Sequence, residues 1–377
     1  MKCILFLMLI APILWSCTNK DSQQKKAPIV IGEFGSLTGS ESSFGENTHK
    51  GIALAIEQQN KRGGVRGHKI KLITLDNQSR LEKTREVVKE LIEEHKVLAL
   101  LGEVASQRTL AAAPIAQAEK VPLLTPSSTN PKVTEVGNYI FRACYTDPFQ
   151  GKVMANFASD KLKVKKVAVI TDKSSDYSKG LAEHFIDTFQ KLGGKVVASE
   201  QYQAGDIDFK DQLRHFRAKD PEAIFIPGYY TEAALIARQV RRLGIKAHLL
   251  GGDGWDSPRL FEIGRDAVNG AFFSNHYTNE SRRPESLEFV KAFKKRYKEK
   301  PDGVAAMGYD AARILIQAIE KSPNLDRQSI RKAIAHTKKF KGVTGEISIN
   351  DQRNGVKPSV VLKVDGPSHR FVTTIEP

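Results

Sequence analysis

Two short apolar runs near the middle of the N-terminal half each empty into a loop of small residues and hydroxyls. Residues 97–101 lead through Gly102 to Val104, Ala105 and Ser106, and residues 121–124 lead to Thr125, Pro126, Ser127, Ser128 and Thr129. Apolar runs of this length, bounded by turn residues, have the form of strands covered on both faces in a parallel sheet. Ligands of open α/β sheets lie beyond the carboxyl ends of the strands, which is where both loops fall. Hydroxyls together with free backbone N–H groups near a helix start suit an anion. The chemistry on offer is that of holding a carboxylate or similar acceptor. Ser and Thr at such places also cap helices, and that reading stays open for each loop. Two such loops in consecutive units can converge on one ligand.

The elements that must position these loops are legible as a β-α alternation. Ile29, Val30 and Ile31 begin a strand, followed by a Gly- and Ser-rich loop with Phe44 at its tip and a helix over 47–61 that stops at Gly63 and Gly64. Strands are expected at 68–75 and 139–142, with an amphipathic helix over 82–95 between. A second series begins at Asp147. Its strands are expected at 166–171, 195–202, 223–226, 248–250 and 270–274, its helices at 208–219 and 231–243. Tyr177 falls in a loop that opens a helix, Tyr229 in Pro-Gly-Tyr-Tyr after a strand, and Asp253 in the Gly-rich run 251–256, where Asp256 is the expected cap of the next helix. Helices at 284–300, 304–321 and 329–336 and three strands at 345–349, 359–364 and 371–375 complete the chain. Two β-α series followed by helices without a sheet of their own imply two lobes with more than one crossing between them.

Several function classes are excluded. The glycines lack the G-x-G-x-x-G and P-loop spacings, so phosphate cradles are unsupported. Neither H-E-x-x-H nor G-x-S-x-G occurs, and the nine His show no ligand spacing. No catalytic group, metal site or cofactor is expected. The formal charge is +15, but Lys and Arg are scattered and mixed with Glu, a pattern of solvated helix faces and not of a nucleic-acid patch.

Residues 1–16 carry one charge, Lys2, and then an apolar run too short to span a bilayer, which has the form of a signal peptide. The run ends Leu14-Trp15-Ser16-Cys17 and resembles a bacterial lipobox, with Cys17 as the lipidated residue and 17–26 as a polar tether. Thr18 is not Asp, so an inner-membrane retention signal of the enterobacterial kind is absent. Of three Cys, Cys3 leaves with the leader and Cys17 carries lipid; Cys144 alone remains in the folded body, without a disulfide partner.

Five stretches in order, GEFGSLTGSESSFGENTHKGIALAIEQQNKRGG, LLTPSSTNPKVTE, DYSKGLAEHF, PGYYTEAALIARQVRRLG and GGDGW, resemble the type I periplasmic binding proteins of ABC transporters, closest to the leucine/isoleucine/valine-binding family. The resemblance implies an α/β fold of two lobes, each a mostly parallel sheet flanked by helices, joined by a three-crossing hinge near Cys144, Asn275 and Ile349. It places one lobe at 27–143 with 277–346 and the other at 144–276 with 347–377. It implies that the hydroxyls of Ser106 and Thr129, with the Ser127 backbone beside them, hold a ligand carboxylate. Tyr177 and Tyr229 would cover the ligand, Phe44 would pack over its side chain, and Asp253 would receive its α-ammonium. Asp253 stands where relatives carry the longer Glu. The implied function is capture of a small, apolar amino acid and delivery to a membrane ABC permease, by a monomeric lipoprotein of the periplasm or cell surface that touches the membrane only through its anchor. The competing reading is a sensing module of the same fold for amides, urea or small aromatic acids that reports to a signalling partner.

Overall fold

The computed structural model describes residues 26–377, so the leader at 1–16, Cys17 and the tether short of Lys26 lie outside the described residues. From there the chain runs β1 (Ile29–Gly35), α1 (Ser42–Lys61), β2 (Ile70–Asp76), α2 (Leu81–Glu93), β3 (Ala99–Leu101), α3 (Ser106–Ala118), β4 (Leu123–Thr125), α4 (Lys132–Glu135) and β5 (Ile140–Arg142). These strands pair in parallel in the order β2-β1-β3-β4-β5. Every residue of β3, β4 and β5 is buried, as the uninterrupted apolar runs require. Helix α2 buries Thr84, Val87, Val88, Leu91 and Ile92, one stripe at helical spacing laid on the sheet.

The second series follows as α5 (Asp147–Asn156), which ends in a π-turn over Phe157–Lys161, then β6 (Lys166–Asp172), α6 (Asp176–Lys191), β7 (Lys195–Tyr202), α7 (Lys210–Lys219), β8 (Ala223–Ile226), α8 (Tyr230–Arg242), β9 (His248–Gly251), α9 (Pro258–Gly264) and β10 (Phe272–Asn275). The chain then forms α10 (Pro284–Tyr297), α11 (Gly303–Lys321), α12 (Arg327–Ala335) and the short strands β11 (Phe340–Gly342), β12 (Gly345–Ile349) and β13 (Gly355–Val356). It closes with β14 (Ser359–Asp365) and β15 (Ser368–Ile375). The second sheet has the order β15-β14-β10-β9-β8-β6-β7, parallel except where β14 pairs with β10 and β15 with β14.

Helices α10 to α12 return to the first lobe. Helix α11 packs along α1 so closely that a Cβ on Gly51 would lie 2.0 Å from the Ala305 carbonyl oxygen, which leaves room only for glycine. Phe289, Phe293, Ile314, Leu315 and Ile330 share one core with Ile31, Ile52, Ala99 and Phe141. Ile347 and Ile349 belong to that core too, because β12 pairs with β11 and β13 and not with the second sheet. After β13 the chain enters the second sheet at Ser359, the start of β14.

Three local features depart from expectation. Helix α1 begins at Ser42, so Phe44 lies in its first turn and not at a loop tip. The reason is tertiary: the Tyr230 hydroxyl donates to the Ser40 carbonyl at 3.0 Å and Phe44 packs edge-on against Tyr230, which fixes the turn ahead of the helix. Helix α5 had no amphipathic signature because Asp147, Gln150, Gly151, Val153, Met154 and Ala155 are all buried, polar and apolar alike. Asp256 does not cap α9. Ser257 does, accepting from the Arg259 N–H, while Asp256 reaches to α11.

Candidate functional site

Loops or first helical turns at the carboxyl ends of β1, β3, β4, β6, β8 and β9 meet between the two sheets, together with the start of α11. They line a narrow cavity of about 10 Å³, bordered by Phe44, Val104, Ser127, Thr129, Val304, Tyr177, Tyr229, Asp253 and Gly254. The first five belong to the first lobe and the other four to the second. Of the seven ligand-contacting residues expected from sequence, this gathers all but Ser106. Ser106 stands at the start of α3, where its Oγ accepts from the Asn130 N–H at 3.2 Å and ties the two hydroxyl loops together.

On the first-lobe wall the loops are braced from behind. Arg142, fully buried, donates from Nη1 to the Ser128 carbonyl at 2.6 Å and from Nη2 to that of Asn130 at 2.7 Å. The Ser128 hydroxyl is shared between the Glu103 and Val104 carbonyls at 2.9 and 3.0 Å. A buried ionic group lies beneath: Arg108 Nε meets Glu103 at 3.1 Å and its Nη1 meets Glu41 at 2.7 Å. Burial pulls the Arg108 pKa down, but Glu103 and Glu41 outweigh it and hold it above the ordinary value.

This bracing leaves specific groups facing inward. The hydroxyls of Ser127, Thr129 and Tyr229 are buried and have no hydrogen-bond partner among the described residues. Buried polar groups are almost always paired, and an orphan costs roughly 1–3 kcal/mol. Three orphans on one small cavity mark a place built for an acceptor.

The second-lobe wall is organised around Asp253. Tyr177 donates to its Oδ1 at 2.9 Å, and His276 Nε2 lies 3.0 Å from its Oδ2. The Asp253 N–H donates to Gln150 Oε1 at 2.7 Å, and that of Gly254 to the Tyr177 oxygen at 3.1 Å. A carboxylate has about four acceptor sites, so the two bonds to Asp253 fix its plane and leave room for a cation. Tyr177 and Tyr229 stack with centroids 5.2 Å apart and planes within 3°, and Phe44 meets Tyr229 edge-on at 5.6 Å. Burial raises the pKa of both tyrosines well above the ordinary value, so their hydroxyls stay neutral. Burial also lowers the His276 pKa against the pull of Asp253. The backbone must come close here: a Cβ on Gly252 would sit 2.6 Å from the Tyr177 oxygen.

Among the described residues no group of three or more His, Cys, Asp or Glu is placed to hold a metal ion, and no helix is long and apolar enough to cross a membrane. Sequence reasoning missed Arg142, Gln150, Asp147 and His276. Arg142 ends β5, Asp147 and Gln150 lie on α5 and His276 follows β10, and no local pattern marks any of them.

Two lobes, each a parallel-dominated sheet with its strand ends turned to a shared cleft, define the type I periplasmic binding fold. The chain belongs to the periplasmic binding protein family, whose profile matches residues 28–368. A leucine-binding protein, LivK, of Thermotoga maritima superposes with a TM-score of 0.89 at 40% identity, over 93% of this chain and 99% of that one. A branched-chain amino acid transporter substrate-binding protein, LivJ, of Streptococcus pneumoniae, solved in complex with isoleucine, gives 0.88 at 32% identity, over 93% and 100%. An amino acid binding protein of Pseudomonas aeruginosa is 37% identical over 229 residues, 60% of this chain and 61% of that protein's length. The family is one of substrate-binding proteins and not of enzymes.

Proposed function

We propose that this chain captures a small apolar α-amino acid, of the branched-chain kind, between its lobes and delivers it to an ABC permease from a lipid anchor on Cys17. The lobes of this reading are 27–143 with 277–356 and 144–276 with 357–377. One observation carries it: the narrow cavity between the lobes presents orphaned hydroxyls of Ser127 and Thr129 from one lobe and the half-satisfied carboxylate of Asp253 from the other. A zwitterion leaving water needs both charges met, since an unpaired buried charge is very costly. Donors on one wall and an acid on the other meet that need. Phe44, Val104, Val304 and the tyrosine faces leave only apolar surface for the side chain. Ser106 joins this account through Asn130, as a brace of the carboxylate end.

A thermal-shift screen against the twenty amino acids, small amides, urea and aromatic acids tests the reading. A ligand at 100 times its dissociation constant adds about 2.7 kcal/mol of stability. Branched-chain amino acids should give the largest shifts. Shifts confined to aromatic acids, amides or urea would move the sensing reading to the front.

A further inference from the structure

Asp147, at the start of α5, is fully buried, and neither of its carboxyl oxygens makes a hydrogen bond of regular geometry among the described residues. Around it stand the Thr129 hydroxyl and the Gln150 amide Nε2, which likewise make no bond of regular geometry. The segments are held together by the Asp147 N–H, which donates to the Thr129 carbonyl at 3.0 Å. The charged and titratable groups facing this carboxyl are Arg142 of β5, Cys144 of the first crossing, Tyr177 of α6 and Asp253 after β9. Arg142 is the one cation among them, and its donors are spent on the Ser128 and Asn130 carbonyls and on Asn354. A buried carboxylate met only by the poorly aligned Thr129 and Gln150 donors, and without a paired cation, is costly, so the group keeps its proton instead.

We propose that Asp147 is a neutral carboxylic acid that positions the carboxylate end of the site: its O–H donates to Thr129 Oγ1, which leaves the Thr129 hydroxyl hydrogen free only to point at the ligand. This rests on the amino-acid reading above and adds a proton to it. Two aspartates then serve the site in different ways, Asp253 on the cavity wall and Asp147 behind Thr129. Asp253 accepts from Tyr177 and His276 and faces the ammonium. Asp147, behind Thr129, accepts no bond of regular geometry and, uncharged, does not repel the ligand carboxylate. Burial, the largest influence, pushes the Asp147 pKa up to about 8, with Asp253 adding to the rise and Thr129, Arg142 and Gln150 opposing it. Ionisation above that value turns Thr129 round, since its hydroxyl then donates backward to the carboxylate.

The test is calorimetry with L-leucine between pH 6 and 9 on wild type, Asp147→Asn and Asp147→Ala. Asn supplies a permanent N–H donor in the same place, so Asp147→Asn should bind within a few-fold of wild type at pH 7. Relative to that variant, in which the ligand's own titration is identical, wild-type affinity should fall about tenfold per pH unit above about 8, the slope of one required proton. Asp147→Ala should be weaker at every pH. Superimposable pH profiles for wild type and Asp147→Asn would overturn the proposal, as would an Asn variant as weak as the Ala one. A second measurement needs no ligand and so separates this failure from failure of the amino-acid reading. The thermal stability of Asp147→Asn relative to wild type should rise between pH 5 and about 8 and then level, because the buried acid's contribution is lost as pH rises through its raised pKa. A pH-independent difference overturns the proposal whether or not leucine binds.

Discussion

Asp256 Oδ2 accepts a hydrogen bond of 2.6 Å from the Gly303 N–H and so ties the second lobe to the first turn of α11. Val304, the next residue, lines the cavity. The bond belongs to a seam that also includes Ser257 Oγ to Ser43 Oγ at 2.8 Å, the Tyr230 hydroxyl to the Ser40 carbonyl and Asn130 Nδ2 to the Asp176 carbonyl at 2.8 Å. All of these cross the cleft, and they describe a closed form.

The Asp256 latch gives the first prediction. Burial, then Asp302, raises the Asp256 pKa well above the ordinary value. Asp256→Asn keeps a carbonyl acceptor and should change leucine affinity less than about threefold, since a net hydrogen bond contributes only roughly 1 kcal/mol. Asp256→Ala orphans the Gly303 N–H in the closed form alone and should weaken binding about five- to a hundred-fold. Calorimetry reads both. Equal affinity for wild type and Asp256→Ala would remove the latch.

Phe44 gives the second. It comes from the first lobe yet packs into the second lobe's core, edge-on to Tyr229 at 5.6 Å and to Tyr230 at 5.0 Å. Aromatic pairs of this kind contribute about 0.5–1.5 kcal/mol each. Because both pairs exist only across the closed cleft, Phe44→Ala should weaken ligand binding by roughly five- to 150-fold while the melting temperature of the ligand-free protein moves little. A collapse of that melting temperature, with unchanged affinity in the folded fraction, would show that Phe44 serves the first lobe's core instead.

Much of this was legible in the sequence, for identifiable reasons. Strands buried on both faces leave uninterrupted apolar runs, so β3, β4 and β8 could be read directly, and the loops after them carried the hydroxyls and tyrosines. What the sequence hid depends on tertiary packing. Helix α5 has no polar face to give it a period, because it is buried between α6 and the second sheet. Phe44 enters a helix because Tyr230 from the other lobe stabilises the turn before it. Asp147 and Gln150, one turn apart on α5, and the distant His276 resemble ordinary polar residues until the fold sets them around Thr129 and Asp253. Asp256 looked like a cap because it precedes Ser257-Pro258, but the adjacent serine took that role.

Closure itself is the third prediction, since the cavity walls are divided between lobes and hinge closure is a known mode for such clefts. Small-angle scattering should show a smaller radius of gyration with saturating leucine than without it. An unchanged profile at saturation would contradict the division of the site.

The fourth concerns Cys17, outside the described residues. Mass spectrometry of the native N-terminus should find lipid on Cys17, and Cys17→Ala should move the protein from the membrane to the soluble fraction. Unmodified Cys17 would defeat the anchor. Cys144 is a separate matter: its thiol is buried and pushed up to about 12, so it should not react with thiol reagents in the folded protein.

The most direct test of the central claim compares L-leucine with its deaminated analogue, 4-methylpentanoate, on wild type and Asp253→Asn by calorimetry. Truncating one partner of a desolvated charge pair costs about 2–5 kcal/mol, or roughly thirty-fold to several thousand-fold in affinity. Wild type should therefore prefer leucine by at least about thirty-fold, and Asp253→Asn should lose most of that preference while still folding. Equal binding of both compounds by wild type, or undiminished leucine binding by Asp253→Asn, would contradict the account.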